Sequence, residues 1–60
     1  MDDVRLLRIA EVADLLRLSR TKVYELVASG TIPSIHVGSS RRVPLRALRA
    51  WIDAQTEMAA

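Results

Sequence analysis

A chain of 60 residues without a single cysteine has to close its core by packing alone. At this size the core of one domain supplies about 3–5 kcal/mol. Disulfides and thiolate metal sites are excluded, and the lone His36 cannot furnish a metal shell, so no metal or other cofactor is expected. A fold under these limits is a single domain, 1–60, built from few and short elements, with a partner as the expected source of further stability. No apolar run approaches the ~18 residues of a membrane span, so no membrane partner is expected. Met1-Asp2-Asp3 is acidic with no apolar signal core behind it, which predicts an intracellular protein.

Hydrophobic spacing divides the chain into three short helices and a hairpin. Ile9, Val12, Leu15 and Leu16 recur at helical intervals and predict a first helix from Ile9 to Arg17. Glu11 stands three residues after Arg8 and supplies half of a capping box; a Ser or Thr at position 8 would have supplied the other half. Leu18-Ser19 breaks the pattern, and Ser19 is a good N-cap for a second helix reaching about Ser29, with Val23, Leu26 and Val27 on its inner face. Gly30 suits the left-handed position that ends a helix, and Pro33 prevents a restart. Ile35-His36-Val37 alternates as a half-buried strand does, Gly38-Ser39-Ser40 is a turn, and Arg41-Arg42-Val43 is the return strand. Pro44 suits the first turn of a third helix, on which Leu45, Leu48, Trp51 and Ile52 form one stripe to about Ala54. The ordered core is expected over about 5–54, with Arg5-Leu6-Leu7 as an extended lead-in with room for a short strand and residues 55–60 as a frayed tail. The fold class is mostly α with a small β-hairpin.

The net charge of +2 understates the basic character of the middle of the chain. From Arg17 to Arg49 there are seven basic residues (Arg17, Arg20, Lys22, Arg41, Arg42, Arg46, Arg49) against Glu25 alone, a surplus of six. The other acids lie on the first helix and toward the ends. Such asymmetry favours a polyanionic partner. Eight of the nine basic residues are Arg, whose planar fork binds phosphate and guanine in a bidentate manner. No nucleophile–base pair, paired carboxylates or phosphate-binding glycine loop is present, which argues against an enzyme.

Two short helices joined by about three residues make a helix-turn-helix, locked by Val12, Leu16, Leu18, Val23 and Leu26, with small Ala13 at the crossing. The second helix is then the one available to a major groove. Its outward residues are Arg20, Thr21, Lys22, Glu25 and Ala28. Arg20 and Lys22 suit phosphates or guanine edges, Thr21 a phosphate or thymine methyl, and Glu25 a cytosine amino group. Both cations sit at the positive end of the helix dipole, where each costs about 0.3–1 kcal/mol at low salt. Local rule-breaking of this kind marks functional positions. Gly38-Ser39-Ser40-Arg41-Arg42 is a glycine turn followed by two arginines, suited to a wing at a minor groove or phosphate backbone. Tyr24 sits at the edge of the core stripe with its hydroxyl within reach of a phosphate; Trp51 reads as a core anchor, and His36 as an exposed residue of the hairpin.

Several segments together resemble the excisionase family of MerR-like winged helix-turn-helix domains. They are EVADLL in the first helix, LSRTKVYELVASG through the second, IPSIHVG into the wing, RRVP out of it, and LRALRAWI in the third. The resemblance covers residues 6 to 52. It implies double-stranded DNA as partner, with Arg20, Thr21, Lys22 and Tyr24 in a major groove and Ser39, Ser40, Arg41 and Arg42 in the adjacent minor groove. It further implies bending of attachment-site DNA, an integrase or other recombinase as protein partner, cooperative self-association on DNA, and a nucleoid-associated, cytoplasmic location in a bacterial or phage context. No small-molecule effector is expected, because the long dimerisation helix and effector domain of MerR-type regulators have no counterpart after Ile52. A small transcriptional regulator built on the same domain is the alternative, and an interaction adaptor with a vestigial DNA-binding fold a third reading. Two positions depart from the pattern. Arg8 replaces the usual Ser or Thr cap, forgoing ~1 kcal/mol. Arg17 replaces the usual Gly and is expected to adopt a left-handed backbone at about 1 kcal/mol or more. Both add positive charge and are candidate phosphate contacts.

Overall fold

Both helices of the central pair end in the same hydrogen-bonded device. The computed structural model describes residues 4–59; residues 1–3 and 60, which include the acidic N-terminus and the end of the expected tail, lie outside the described residues. Helix α1 (Ile9–Leu16) begins with the Arg8 backbone N–H donating to Glu11 Oε1 at 2.9 Å. The guanidinium of Arg8 has no acceptor, so the reciprocal half of the box cannot form. The helix ends at Arg17, whose φ of 55° and ψ of 42° are left-handed. Arg17 N–H donates to Asp14 O at 3.4 Å and Leu18 N–H to Ala13 O at 3.0 Å, the two bonds of a Schellman motif.

Helix α2 (Arg20–Ala28) is capped by Ser19, whose Oγ accepts from Lys22 N–H at 3.1 Å. Gly30, at φ 80°, ends it with the same pair of bonds: Gly30 N–H to Val27 O at 3.1 Å and Thr31 N–H to Leu26 O at 2.9 Å.

Strands β1 (Leu6–Leu7), β2 (Ile35–Val37) and β3 (Ser40–Pro44) form an antiparallel sheet in the order β1-β3-β2. The lead-in is therefore a true strand. Val37 pairs with Ser40, so the hairpin turn is the two residues Gly38 and Ser39, with Gly38 at φ 63°; Ser40 belongs to the strand and not to the turn. Pro44 also differs from expectation, since it ends β3 opposite Leu6. Leu45 N–H donates to Arg5 O at 3.0 Å, so the ladder's bonds fall on either side of the Leu6–Pro44 pair. The missing proline N–H faces the other side, where β2 begins only at Ile35 opposite Arg42, and no ladder bond is lost.

Helix α3 (Leu45–Ala59) runs five residues beyond the expected end at Ala54. Residues 55–59 are helical and not an irregular tail; good helix formers such as Gln55, Glu57 and Met58 dominate there, and Thr56 Oγ1 donates to Ile52 O at 3.0 Å.

The core joins Leu7 and Val43 of the sheet, Ile9, Val12 and Ala13 of α1, Val23 and Val27 of α2, Ile32 of the connecting loop, and Leu45 and Leu48 of α3. Leu16, Leu26 and Trp51 pack against its edge. Fully burying one such aliphatic side chain is worth about 1.5–3 kcal/mol. Five apolar residues depart from expectation. Leu15 is 61% exposed, because it lies about 110° round α1 from the centre of the buried stripe. Leu18 is exposed just past the left-handed turn and does not lock the helices. Ile35 and Val37 are both exposed on β2, and Ile52 is exposed on α3.

Candidate nucleic-acid interface

Burying Val23 and Val27 fixes which side of α2 meets solvent. Arg20, Thr21, Lys22, Tyr24, Glu25 and Ala28 are all exposed, and they form one continuous face. The residues read as groove-facing from spacing are thus brought together on one helix. Lys22 Nζ lies 3.9 Å from Glu25 Oε2, with both side chains more than half exposed. That i,i+3 pair is worth only a few tenths of a kcal/mol, roughly 0.2–0.5, and partly offsets the unfavourable position of Lys22 at the helix start.

The hairpin is attached to this helix. His36 stands opposite Arg41 in the β2–β3 register. Arg41 is half-buried; its Nη2 donates to His36 Nε2 at 3.0 Å and its Nη1 to the carbonyl of Val27 at 3.4 Å. Arg42 is half-buried too, on the opposite side of the strand, and its Nη1 donates to Arg41 O at 3.1 Å. The two arginines therefore belong to the strand wall, and the exposed tip is Gly38 and Ser39. The role of His36 escaped the sequence reading, because only the register places it beside Arg41.

Arg8 and Arg17 are both exposed. They flank α1 from opposite ends, separated by an eight-residue helix of about 12 Å. Arg17 lies in the turn that leads to Arg20, while Arg8 borders β1. Among the described residues no group of three or more His, Asp or Glu is placed to hold a metal ion. No helix among them is long and apolar enough to cross a membrane.

The family model for a helix-turn-helix domain matches residues 6–56. A protein of Streptomyces ambofaciens named an excisionase is 40% identical over 50 residues, covering 83% of this chain and 81% of that protein. The chain belongs to the excisionase family of helix-turn-helix proteins. The excisionase and helix-turn-helix part of the resemblance drawn from the segments EVADLL through LRALRAWI is thereby established, as is the architecture of three helices and a small antiparallel hairpin. A protein of Saccharopolyspora erythraea named a probable excisionase is 51% identical over 43 residues, 72% of this chain and 44% of that protein. A Mycobacterium tuberculosis protein whose name marks it as a candidate DNA-binding protein is 43% identical over 49 residues, 82% of this chain. The match covers 63% of the mycobacterial protein's length. No solved structure matches the chain significantly.

Proposed function

We propose that the protein binds double-stranded DNA as an excisionase, a recombination directionality factor that bends attachment-site DNA and steers an integrase toward excision. The observation that carries this reading is the exposed face of α2, which gathers Arg20, Thr21, Lys22, Tyr24 and Glu25 opposite the buried Val23 and Val27. That face enters the major groove, and the hairpin follows the adjacent backbone or minor groove with Ser39, Ser40, Arg41 and Arg42. Arg17, and less directly Arg8, add phosphate contacts. The protein itself performs no bond-breaking step, which belongs to the recombinase. It acts as a single domain in the bacterial cytoplasm, and copies assemble cooperatively on adjacent DNA sites. The names of the S. ambofaciens and S. erythraea relatives support excision as the process.

The same face serves a small transcriptional regulator equally well, and that is the second reading, supported by the mycobacterial relative whose name specifies DNA binding alone. An excision assay with the cognate integrase and attachment sites separates them. Excision that depends on added protein supports the first. Site-specific binding without any effect on recombination moves the assignment to the second, and no binding to DNA overturns both.

A further inference from the structure

We propose that Arg41 is a positioning residue that clasps the wing to the C-terminal end of α2, and that the clasp holds only while His36 is neutral. The proposal rests on the DNA-binding reading above and refines it: beside the contact Arg41 makes with the DNA backbone, it sets the angle between wing and recognition helix. An arginine guanidinium has donors only, so the 3.0 Å contact with His36 requires Nε2 to be an unprotonated acceptor. The other arm of the same guanidinium reaches the Val27 carbonyl, in the last turn of α2, where the helix dipole favours a cation. One side chain thus touches both strands of the wing and the helix it accompanies. These contacts matter because the outer strand has little else to hold it: Ile35, His36 and Val37 are all exposed, and β3 is the main element packed on β2.

A proton on Nε2 removes the acceptor and sets two cations face to face. Among the described residues no carboxylate is hydrogen-bonded to His36, whose side-chain contact is with the Arg41 guanidinium. Arg41 is its cross-strand partner on β3, and Arg42 lies on the strand's other side, opposite Ile35. On α2, Glu25 pairs with Lys22, and Arg20 opens the helix at the far end from Val27. The clasp is therefore present at the higher pH and lost as pH falls. The sign of the effect is diagnostic. A histidine that merely neighboured phosphate would tighten binding as it gained charge, whereas a broken clasp loosens it.

The test measures affinity for a natural DNA site from pH 8 to 5.5 at constant ionic strength, together with amide relaxation of residues 37–40 in the free protein. The parent should lose roughly tenfold in affinity on acidification, with the wing amides becoming mobile over the same range. His36→Gln keeps an acceptor near the Nε2 position but does not titrate; it should bind as the parent does at pH 8 and stay flat. Arg41→Ala should bind weakly at both ends of the range and also be flat. Tighter binding by the parent at low pH, or wing amides that respond equally in His36→Gln, would overturn the clasp. Absence of DNA binding at every pH would overturn the proposed function instead, and the relaxation data would still decide the clasp.

Discussion

Arg17 and Gly30 occupy the same position at the ends of consecutive helices. Each lies in the left-handed region, at φ 55° and φ 80°, and each is followed by a residue whose N–H reaches five residues back, Leu18 to Ala13 and Thr31 to Leu26. Glycine meets this conformation without penalty, while an L-residue with a side chain pays about 1–2 kcal/mol. Replacing Arg17 by Gly should therefore stabilise the free domain by about 1 kcal/mol, after allowance for the greater freedom of glycine in the unfolded chain. Gly30→Ala should destabilise it by a similar amount, although a β-carbon there meets nothing within 4 Å, so that backbone strain alone is responsible. Urea unfolding of both variants checks the pair. Equal stability of Arg17→Gly and the parent would mean that the arginine side chain makes compensating contacts in the folded domain.

Arg17→Gly also removes a candidate phosphate contact next to α2, so its gain in stability should come with weaker binding. The whole interface should behave electrostatically. If about five of the seven basic residues between Arg17 and Arg49 neutralise phosphates, log affinity against log salt should fall with a slope of roughly −4 to −5. Arg17→Gly should lower that slope by about 1. A parent slope near zero would remove nucleic acid as the partner.

Ile32 shows where sequence patterning stops being informative. The helix stripes were legible because Val12, Val23, Val27 and Leu48 recur at helical intervals, and Ser19 and Gly30 carry their capping chemistry in their side chains or lack of one. Ile32 is a single apolar residue among turn formers, and no period identifies it. Yet it is fully buried, with its N–H bonded to Leu26 O at 3.1 Å. The exposure of Leu15, Leu18, Ile35 and Val37 was hidden for the opposite reason: hydrophobic residues do not announce that the layer meant to cover them is absent. The exposed face of α2 followed directly from its inner face. The Arg41–His36 contact did not, since residues five apart become partners only through the strand register. Ile32→Ala should cost about 2–5 kcal/mol, enough to unfold much of so small a domain. Far-ultraviolet circular dichroism with thermal melting reads this out, and a loss under 1 kcal/mol would show that the loop repacks.

Lys22 lies three residues after the Ser19 cap, at the position where a glutamate would complete a capping box. Lys22→Glu removes a cation from the positive end of α2 and places an anion there, a gain of about 0.5–1.5 kcal/mol at low salt from dipole and cap together. The 3.9 Å contact with Glu25 opposes it, because the substitution exchanges a weak ion pair for a like-charged one, a change of about 0.5–1 kcal/mol. The net gain in the free protein should be about 0.5 kcal/mol, shrinking as salt screens the exposed charges. Lys22→Glu combined with Glu25→Lys restores an ion pair in the order that suits the dipole and should recover about 1 kcal/mol. Both proteins should bind DNA less well, Lys22→Glu by about 2 kcal/mol or more, because the new carboxylate faces the phosphate backbone. At low salt, stability should therefore rise slightly while affinity falls. Thermal unfolding at two salt concentrations and one binding titration measure both. A Lys22→Glu variant that binds the site as well as the parent would mean that the start of α2 does not lie against DNA.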